Sequence, residues 1–202
     1  MSHNWKEVQF KELYAISSKN GLNRPSAVRG SGYKMINMGE IFANDRLHDI
    51  DMELVLLNDN EKKQFQIIEN DLIFARQSLI ADGAGKCSIV LNVSKMTCFE
   101  SHIIRVRLNK NLTVPLFYYY YFQSSLGKGL LSTIRQQGVQ AGIRGSDLSM
   151  IKIDLPSLPT QRKIAKILSN YDDLIENNLK RIKLLEESAR LTYEEWFLRC
   201  RI

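Results

Sequence analysis

Alternating apolar and polar positions mark short segments through most of the chain, and turn residues separate these segments. Alternation with a period of two is typical of a strand that buries one face. The clearest examples are Asp71–Arg76, Cys87–Val93 and His102–Leu108, and Ile151–Leu155 is a further apolar run. Residues 1–155 are therefore predicted to form a mixed, strand-rich globular domain.

One part of this region has a helical pattern. An apolar run begins at Pro115, reaches Phe122 and continues after Gly129 to Ile134, and proline is common in the first turn of a helix. Four consecutive tyrosines, Tyr118–Tyr121, lie within the run. They could form a platform on which nucleobases stack, but aromatic residues in a helix more often pack into a core. We favour the core.

The pattern changes at Pro156–Thr160, where two prolines end the preceding strand and suit the start of a helix. No glycine or proline follows. Apolar residues then recur at alternating steps of four and three, which is the heptad spacing of a coiled coil. The positions of this heptad seam are Ile164, Leu168, Tyr171, Ile175, Asn178, Ile182, Leu185, Ala189, Thr192 and Trp196. Residues 156–202 are predicted to be a long helix that serves as a dimerisation and spacer region.

The predicted fold class is α+β, with the strand-rich domain followed by a long C-terminal coiled-coil helix. A helix of about 39 residues is ~58 Å long, so a domain of this size cannot cover it, and we expect it to lie against a second copy. Asn178 lies near the midpoint of the seam. Because buried seam asparagines fix register and orientation, we hypothesise an antiparallel homodimer with Asn178 near the two-fold axis. A solvated asparagine is the competing interpretation.

The composition is that of a globular protein, with 44% hydrophobic residues among 202. The three cysteines are an odd number in no paired motif, which favours a reducing compartment over a disulfide scaffold. The longest apolar stretch, Leu112–Phe122, is too short to span a bilayer. We therefore expect a soluble, cytoplasmic protein that binds no membrane.

The positive charge is concentrated in one segment. The chain has a formal net charge of +6, and residues 101–146 contain six basic residues and no acidic ones. Such a field of one sign suits a polyanion. Arg105 and Arg107 are predicted to alternate on a strand face and to be merely solvated. For Arg135 and Arg144, near glycines in a loop, a nucleic-acid contact and an ordinary surface remain equally open.

No catalytic motif stands out in the sequence. The three histidines have no partner at metal-ligand spacing, and there is no Gly-x-Ser-x-Gly elbow or glycine-rich cofactor loop. The acidic cluster from Asp45 to Glu53 lacks the spacing of a calcium loop, and a solvated turn is the favoured interpretation. We expect a binding protein, not an enzyme, with no cofactor and no metal.

Several motifs follow one another in a specific order. Trp5–Val8 is similar to the opening of a target-recognition domain, and Asn70–Arg76 to a strand of the pattern Gly-Asp, three hydrophobic residues, any residue and Arg, with Asn70 replacing the usual glycine. Gly138–Gln140 resembles the turn after an aromatic helix. Most specific is Ile151–Leu168, a strand, a proline-containing link and a Gln-x-x-Ile-Ala-x-Ile-Leu helix start. Together they resemble the DNA-specificity (S) subunit of type I restriction–modification systems, an HsdS-like protein.

This resemblance implies a DNA sequence-recognition subunit with no catalytic activity of its own. A usual S subunit has two recognition domains and two long helices, whereas this chain has one of each and so resembles a half subunit. The resemblance implies a homodimer that reads a bipartite target in double-stranded DNA. It also implies a methyltransferase (M) subunit, which binds S-adenosylmethionine and flips the target adenine, and through it a restriction (R) subunit.

Candidate base-reading residues follow from side-chain chemistry. Arginine binds guanine, and glutamine binds adenine, through two hydrogen bonds in the major groove. The polar run Gln136–Gln140 beside Arg135 is the best candidate, because it has little structural reason to exist, although an ordinary surface loop is the alternative. The candidates are Arg76, Gln77, Lys86, Arg135, Gln136, Gln137, Gln140 and Arg144.

An alternative function is a coiled-coil interaction module whose globular domain binds another protein instead of DNA. It predicts dimerisation without salt-dependent affinity for DNA. A nuclease or methyltransferase in its own right ranks last, because no motif for either is present.

Overall fold

The structure is a computed structural model that describes residues 5–78, 83–93, 96–136 and 141–199. The chain divides into two compact units, Met1–Arg162 and Lys163–Ile202. The division falls inside a helix, so the domain boundary predicted after residue 155 stays a prediction. The predicted α+β class, a strand-rich part followed by a long C-terminal helix, is confirmed.

The described residues of the first unit form short strands and short helices. The strands are β1 (Lys6–Gln9), β2 (Tyr14–Asn20), β3 (Arg29–Ile36), β4 (Arg46–Leu47), β5 (Glu53–Val55), β6 (Leu72–Ala75), β7 (Gln77–Ser78), β8 (Cys87–Val90), β9 (Thr97–Phe99), β10 (Ile103–Leu108), β11 (Ala141–Gly142) and β12 (Lys152–Leu155). The helices are α1 (Met38–Ala43), α2 (Asp59–Phe65), α3 (Pro115–Gln123), α4 (Ser125–Thr133) and α5 (Gly145–Met150), with 3-10 turns at Phe10–Leu13 and Ser26–Val28. A sixth helix, α6 (Leu158–Tyr193), continues into the second unit.

A five-stranded sheet of order β2-β10-β6-β8-β4 organises the first unit. Its neighbours are antiparallel except for the parallel pair β4 and β8. A second sheet has three strands in the order β5-β3-β9. Strand β1 pairs with β12, which brings the two ends of the unit together. Strands β7 and β11 pair with each other and form a separate two-stranded ribbon.

The central strands are buried on both faces. Ile73 and Ala75 of β6 belong to a core cluster that includes Phe99. Phe74 points the other way, with its ring centroid 5.2 Å from that of Phe122. The prediction that β6, β8 and β10 are half-buried strands is therefore wrong, because segments distant in sequence cover the second face.

Because β10 is buried on both faces, its two arginines, Arg105 and Arg107, have protein groups as hydrogen-bond partners. Arg105 is only 4% exposed, and its Nη1 donates to the carbonyl of Gln66 at 3.1 Å. Burial lowers the pKa of Arg105, and the positive charge of Arg107 adds to this. Arg107 donates from Nε and Nη2 to the two carboxylate oxygens of the fully buried Asp71, at 2.7 and 2.8 Å. The prediction that both arginines are merely solvated is wrong, because buried cations require polar partners.

The turn before β6 explains the asparagine at position 70. Asn70 has a φ of 73°, in the left-handed region that glycine adopts freely and asparagine tolerates better than other residues. Its backbone N–H donates to the carbonyl of Val90 at 2.7 Å. Asn70 can therefore replace a glycine here without changing the turn that leads into Asp71.

The aromatic run forms two helices instead of one. Ser124 separates α3 from α4, and its hydroxyl accepts a hydrogen bond from the N–H of Gly127 at 3.2 Å. A Cβ at Gly127 would lie 2.1 Å from the carbonyl oxygen of Tyr121, so this close junction requires glycine. The preference for a core over a stacking platform is confirmed, because three of the four tyrosines are buried: Tyr118, Tyr119 and Tyr121.

The start of α6 is held by one buried amide. Gln161 is fully buried, and its side-chain oxygen accepts from the N–H of Val114 at 2.8 Å. Its Nε2 donates to the carbonyls of Pro156 at 2.8 Å and Leu112 at 3.2 Å. The glutamine of the Gln-x-x-Ile-Ala segment therefore joins the first turn of α6 to the loop before α3.

In the second unit, α6 continues and is followed by a short π-helix. The α-helix ends at Tyr193, and Glu194–Leu198 is a π-helix, in which the N–H of Arg199 donates to the carbonyl of Glu194. Trp196, the last position of the predicted seam, therefore lies in the π-helix, where a turn is wider than an α turn. No helix among the described residues is long and apolar enough to cross a membrane.

Most of the heptad seam is exposed on this chain, although Ile164 at its start is half-buried. The side chains of Tyr171 and Leu185 are 65% and 68% exposed, and Ile175 and Ile182 are more than half exposed. A second apolar edge, which includes Leu174 and Leu179, is exposed to a similar extent. Two-chain pairing along the seam stays a prediction.

Candidate nucleic-acid interface

The ribbon of β7 and β11 brings together two segments that lie far apart in the sequence. Gln77 pairs with Gly142 and Ser78 with Ala141. The N–H of Ile143 donates to the carbonyl of Arg76 at 2.8 Å. The N–H of Gln136 donates to the carbonyl of Gly142 at 2.8 Å, so residue 136 joins the end of the ribbon. Of the candidate base readers, Arg76, Gln77, Gln136 and Arg144 thus lie in or beside the ribbon, whereas Gln137 and Gln140 lie outside the described residues.

A first basic cavity lies beside the ribbon. Arg76 and Arg144 line it together with Lys19, and its volume is about 410 Å³. The Arg144 side chain is exposed, while Arg76 is half-buried and donates from Nη1 to the carbonyl of Ser101 at 3.3 Å. We call it the Arg144 cavity. Sequence reasoning missed Lys19, which lies in β2, outside the acid-free segment 101–146.

A second basic cavity lies between α4 and the start of β8. It has a volume of about 660 Å³, and Lys86, Lys128 and Arg135 line it. Arg135 is half-buried, and its Nε donates to the carbonyl of Ala84 at 2.9 Å, whereas Lys128 is exposed. We call it the Lys128 cavity. The structure thus brings Lys86 and Arg135 together, and it adds Lys128, whose place in the acid-free segment was the available signal.

The Lys128 cavity also contains groups of other chemistry. Asp45 lies on its wall and forms an ion pair with Lys86, with Oδ1 and Nζ 2.9 Å apart. Burial raises the pKa of the Cys87 thiol well above its usual value, and the Asp45 carboxylate adds to this effect. Cys87 therefore stays protonated near neutral pH and is a poor nucleophile. The cavity offers cations to a ligand and no activated nucleophile.

The acidic cluster does not form a cation site. The Asp45 and Glu53 side chains are more than half exposed, but Asp49 is only 27% exposed, and Glu53 lies in β5 and not in a turn. Three of these carboxylates form ion pairs. Asp45 pairs with Lys86, Asp49 with Lys34, and Glu53 with Arg29. Among the described residues, no group of three or more His, Cys, Asp or Glu side chains could hold a metal ion.

Comparison with known proteins identifies a family that shares this sequence. Residues 2–187 match the family model described as the type I restriction modification DNA specificity domain. The chain belongs to this family. The resemblance expected from the short motifs is confirmed over most of the chain.

Named relatives of the specificity domain agree with the match. The chain is similar to the specificity subunit of the type I restriction enzyme MjaIX of Methanocaldococcus jannaschii, with 35% identity over 89 residues, which cover 44% of this chain and 21% of that protein. It is also similar to the EcoKI specificity subunit of Escherichia coli K12, with 21% identity over 192 residues, or 91% of this chain and 41% of that protein. The chain therefore spans less than half the length of these relatives.

A solved structure shares the fold of this specificity domain. The crystal structure of a type I restriction–modification S subunit from M. genitalium aligns with a TM-score of 0.67 and 16% sequence identity. The alignment covers 97% of this chain and 46% of that one.

Proposed function

We propose that this chain is a DNA sequence-recognition module of a type I restriction–modification specificity subunit. The single observation that carries the proposal is the ribbon of β7 and β11 with the Arg144 cavity beside it, which Arg76 and Arg144 line. A second basic cavity, lined by Lys86, Lys128 and Arg135, adds positive charge to the same unit. The family match supports DNA, instead of another protein, as the ligand.

The ribbon and the cavities suit different parts of DNA. A two-stranded ribbon fits the major groove, where glutamine can bind adenine and arginine can bind guanine through two hydrogen bonds each. Gln77 and Gln136 lie in or at the end of the ribbon, so we assign them to base edges. Arg144 and Lys128 are exposed at the cavities, and we assign them to backbone phosphates, which position a protein on DNA without reading the sequence. Arg76, Lys86, Arg135, Gln137 and Gln140 remain candidate contacts.

The exposed seam of α6 supports a second copy of the chain as its partner. Contiguous apolar side chains on a helix surface indicate an interface. In the proposed homodimer, the paired helices present two recognition domains to two halves of a bipartite target, with Asn178 near the two-fold axis of an antiparallel pair. Dimerisation residues are Ile164, Leu168, Tyr171, Ile175, Asn178, Ile182, Leu185, Ala189 and Trp196.

The module acts in the cytoplasm and without catalysis, cofactor or metal of its own. It delivers a methyltransferase subunit, and through it a restriction subunit, to the target. The methyltransferase supplies the methyl donor and the chemistry.

The test is the salt dependence of DNA binding by the full chain, measured by fluorescence anisotropy with a random-sequence duplex. Arg144→Gln removes a phosphate contact, so the slope of log K against log salt concentration becomes shallower by about 0.9. Lys110→Gln is the matched control, because Lys110 belongs to the same acid-free segment and does not line either cavity. A wild-type protein without salt-dependent affinity would overturn the proposal in favour of the protein-binding module.

A further inference from the structure

The ammonium of Lys86 is already occupied in the free chain. Its Nζ lies 2.9 Å from Oδ1 of Asp45 and donates to the carbonyl of Phe42 at 3.0 Å. The Asp45 side chain is 60% exposed and Lys86 is 24% exposed, so the pair sits at the mouth of the Lys128 cavity and not in the core. A phosphate entering the cavity would meet a neutralised cation and a carboxylate.

The backbone keeps both partners of this ion pair in place. The carbonyl of Asp45 accepts a hydrogen bond from the N–H of Ile89 at 3.1 Å, where β4 runs beside β8. Lys86 precedes β8, and its carbonyl accepts from the N–H of Ala75 at 2.9 Å. Because both residues are attached to the central sheet, the pair forms without ordering a loop, and the remaining entropic cost is that of the two side chains.

The other cations of the cavity differ from Lys86. Lys128 is exposed, and Arg135 donates its Nε to the carbonyl of Ala84. Among the described residues that line the cavity, Asp45 is the only acidic one. It therefore cancels one of three positive charges at this site.

We propose that Asp45 limits the non-specific DNA affinity of the chain by holding Lys86 away from the phosphate backbone. The inference rests on the proposed DNA-binding function. Non-specific affinity grows with the number of phosphates that a protein neutralises, whereas specificity is the ratio of specific to non-specific affinity. A carboxylate that removes one phosphate contact from every random site raises that ratio.

The experiment measures binding of a labelled random-sequence duplex to the full chain between about 50 and about 200 mM salt. Asp45→Asn frees Lys86 while keeping the shape of the side chain. We expect the slope of log K against log salt concentration to steepen by about 0.9, so that affinity at the lower salt rises about threefold more than at the higher salt. The double variant Asp45→Asn with Lys86→Gln is expected to return to the wild-type slope.

Asp59→Asn is the matched control. It removes an exposed Asp–Lys ion pair of the same kind, since Oδ1 of Asp59 lies 3.0 Å from Nζ of Lys62, but neither residue lines a basic cavity. It changes the net charge by the same amount and should leave the slope unchanged. Thermal unfolding of each variant checks that the fold is retained.

Three results would overturn the inference. If Asp45→Asn binds as the wild type does, Asp45 does not restrain Lys86. If Asp59→Asn has the same effect, the cause is net charge alone, and if the gain persists in the double variant, Lys86 does not mediate it. In these cases the wild type still binds DNA, whereas a wild type that binds no duplex at low salt overturns the proposed function and this inference together.

Discussion

The globular unit and the long helix treat charged and apolar side chains in opposite ways. In the globular unit, the buried Asp71 pairs with Arg107, and the apolar residues of the central strands are covered on both faces. In the helix, charges form local pairs such as Arg190 with Glu187, while apolar side chains such as Leu184 stay exposed. The first unit buries the apolar side chains of its central strands within itself, whereas the second exposes an apolar surface along its helix.

The largest effect is expected at the buried carboxylate. Asp71→Ala removes the partner of Arg107 and the acceptor of the Ile68 N–H, and breaking a buried pair costs about 3–5 kcal/mol. The free energy of unfolding, measured by urea titration, should fall by this amount. Glu187→Ala removes an exposed pair on α6 and should produce no measurable loss, so equal losses would contradict the comparison.

The next effect concerns pairing of the helices. Ile175→Asp places a charge on the heptad seam, and we expect the dimer to weaken by about 3 kcal/mol, or about 100-fold in Kd. Sedimentation velocity over a range of concentrations measures the change. Asn177→Asp introduces the same charge off the seam and should leave the dimer intact. A wild-type chain that is monomeric throughout would remove the basis for this proposal.

Gln161 tests the start of α6. Gln161→Leu keeps a side chain of similar size but leaves the N–H of Val114 and the carbonyls of Leu112 and Pro156 without this partner. Unpaired buried groups cost about 1–3 kcal/mol, and we expect a loss of about 2 kcal/mol in the free energy of unfolding. Gln123→Leu, which removes one bond to the carbonyl of Cys87, is the milder comparison. An equal loss in both variants would argue against a special role for Gln161.

The smallest effect is expected at the turn before β6. Asn70→Ala puts a residue with a Cβ and no polar group in the left-handed region, at a cost of about 1 kcal/mol. Asn70→Gly should be neutral or slightly stabilising, because glycine adopts this φ without strain. Thermal unfolding separates the two variants, and the reverse order would contradict the conformational explanation.

Much of the local structure follows from patterns along the chain. The long helix was predictable because a heptad seam and the absence of glycine and proline are local properties. The central residues of strands β6, β8 and β10, and the helical conformation of the aromatic run, were also predictable, because apolar alternation and apolar runs are local patterns too. Arg76, Gln77 and Arg144 were chosen as candidate DNA contacts from side-chain chemistry alone, and their roles stay proposals.

Three features depended on contacts between distant segments. A period-two pattern reports alternation but not what covers the second face, so the burial of Arg105 could not be read from β10. Residues 76–78 meet residues 141–143 only because β7 and β11 pair in the folded unit. The ion pair of Asp45 with Lys86 joins residues 41 positions apart, because the parallel pairing of β4 with β8 brings the segments that precede these strands close together. Local propensity acts within a few residues, whereas burial and ion pairing depend on which segments the fold brings together. For this chain, that choice decided which charged residues are buried or paired and which are exposed.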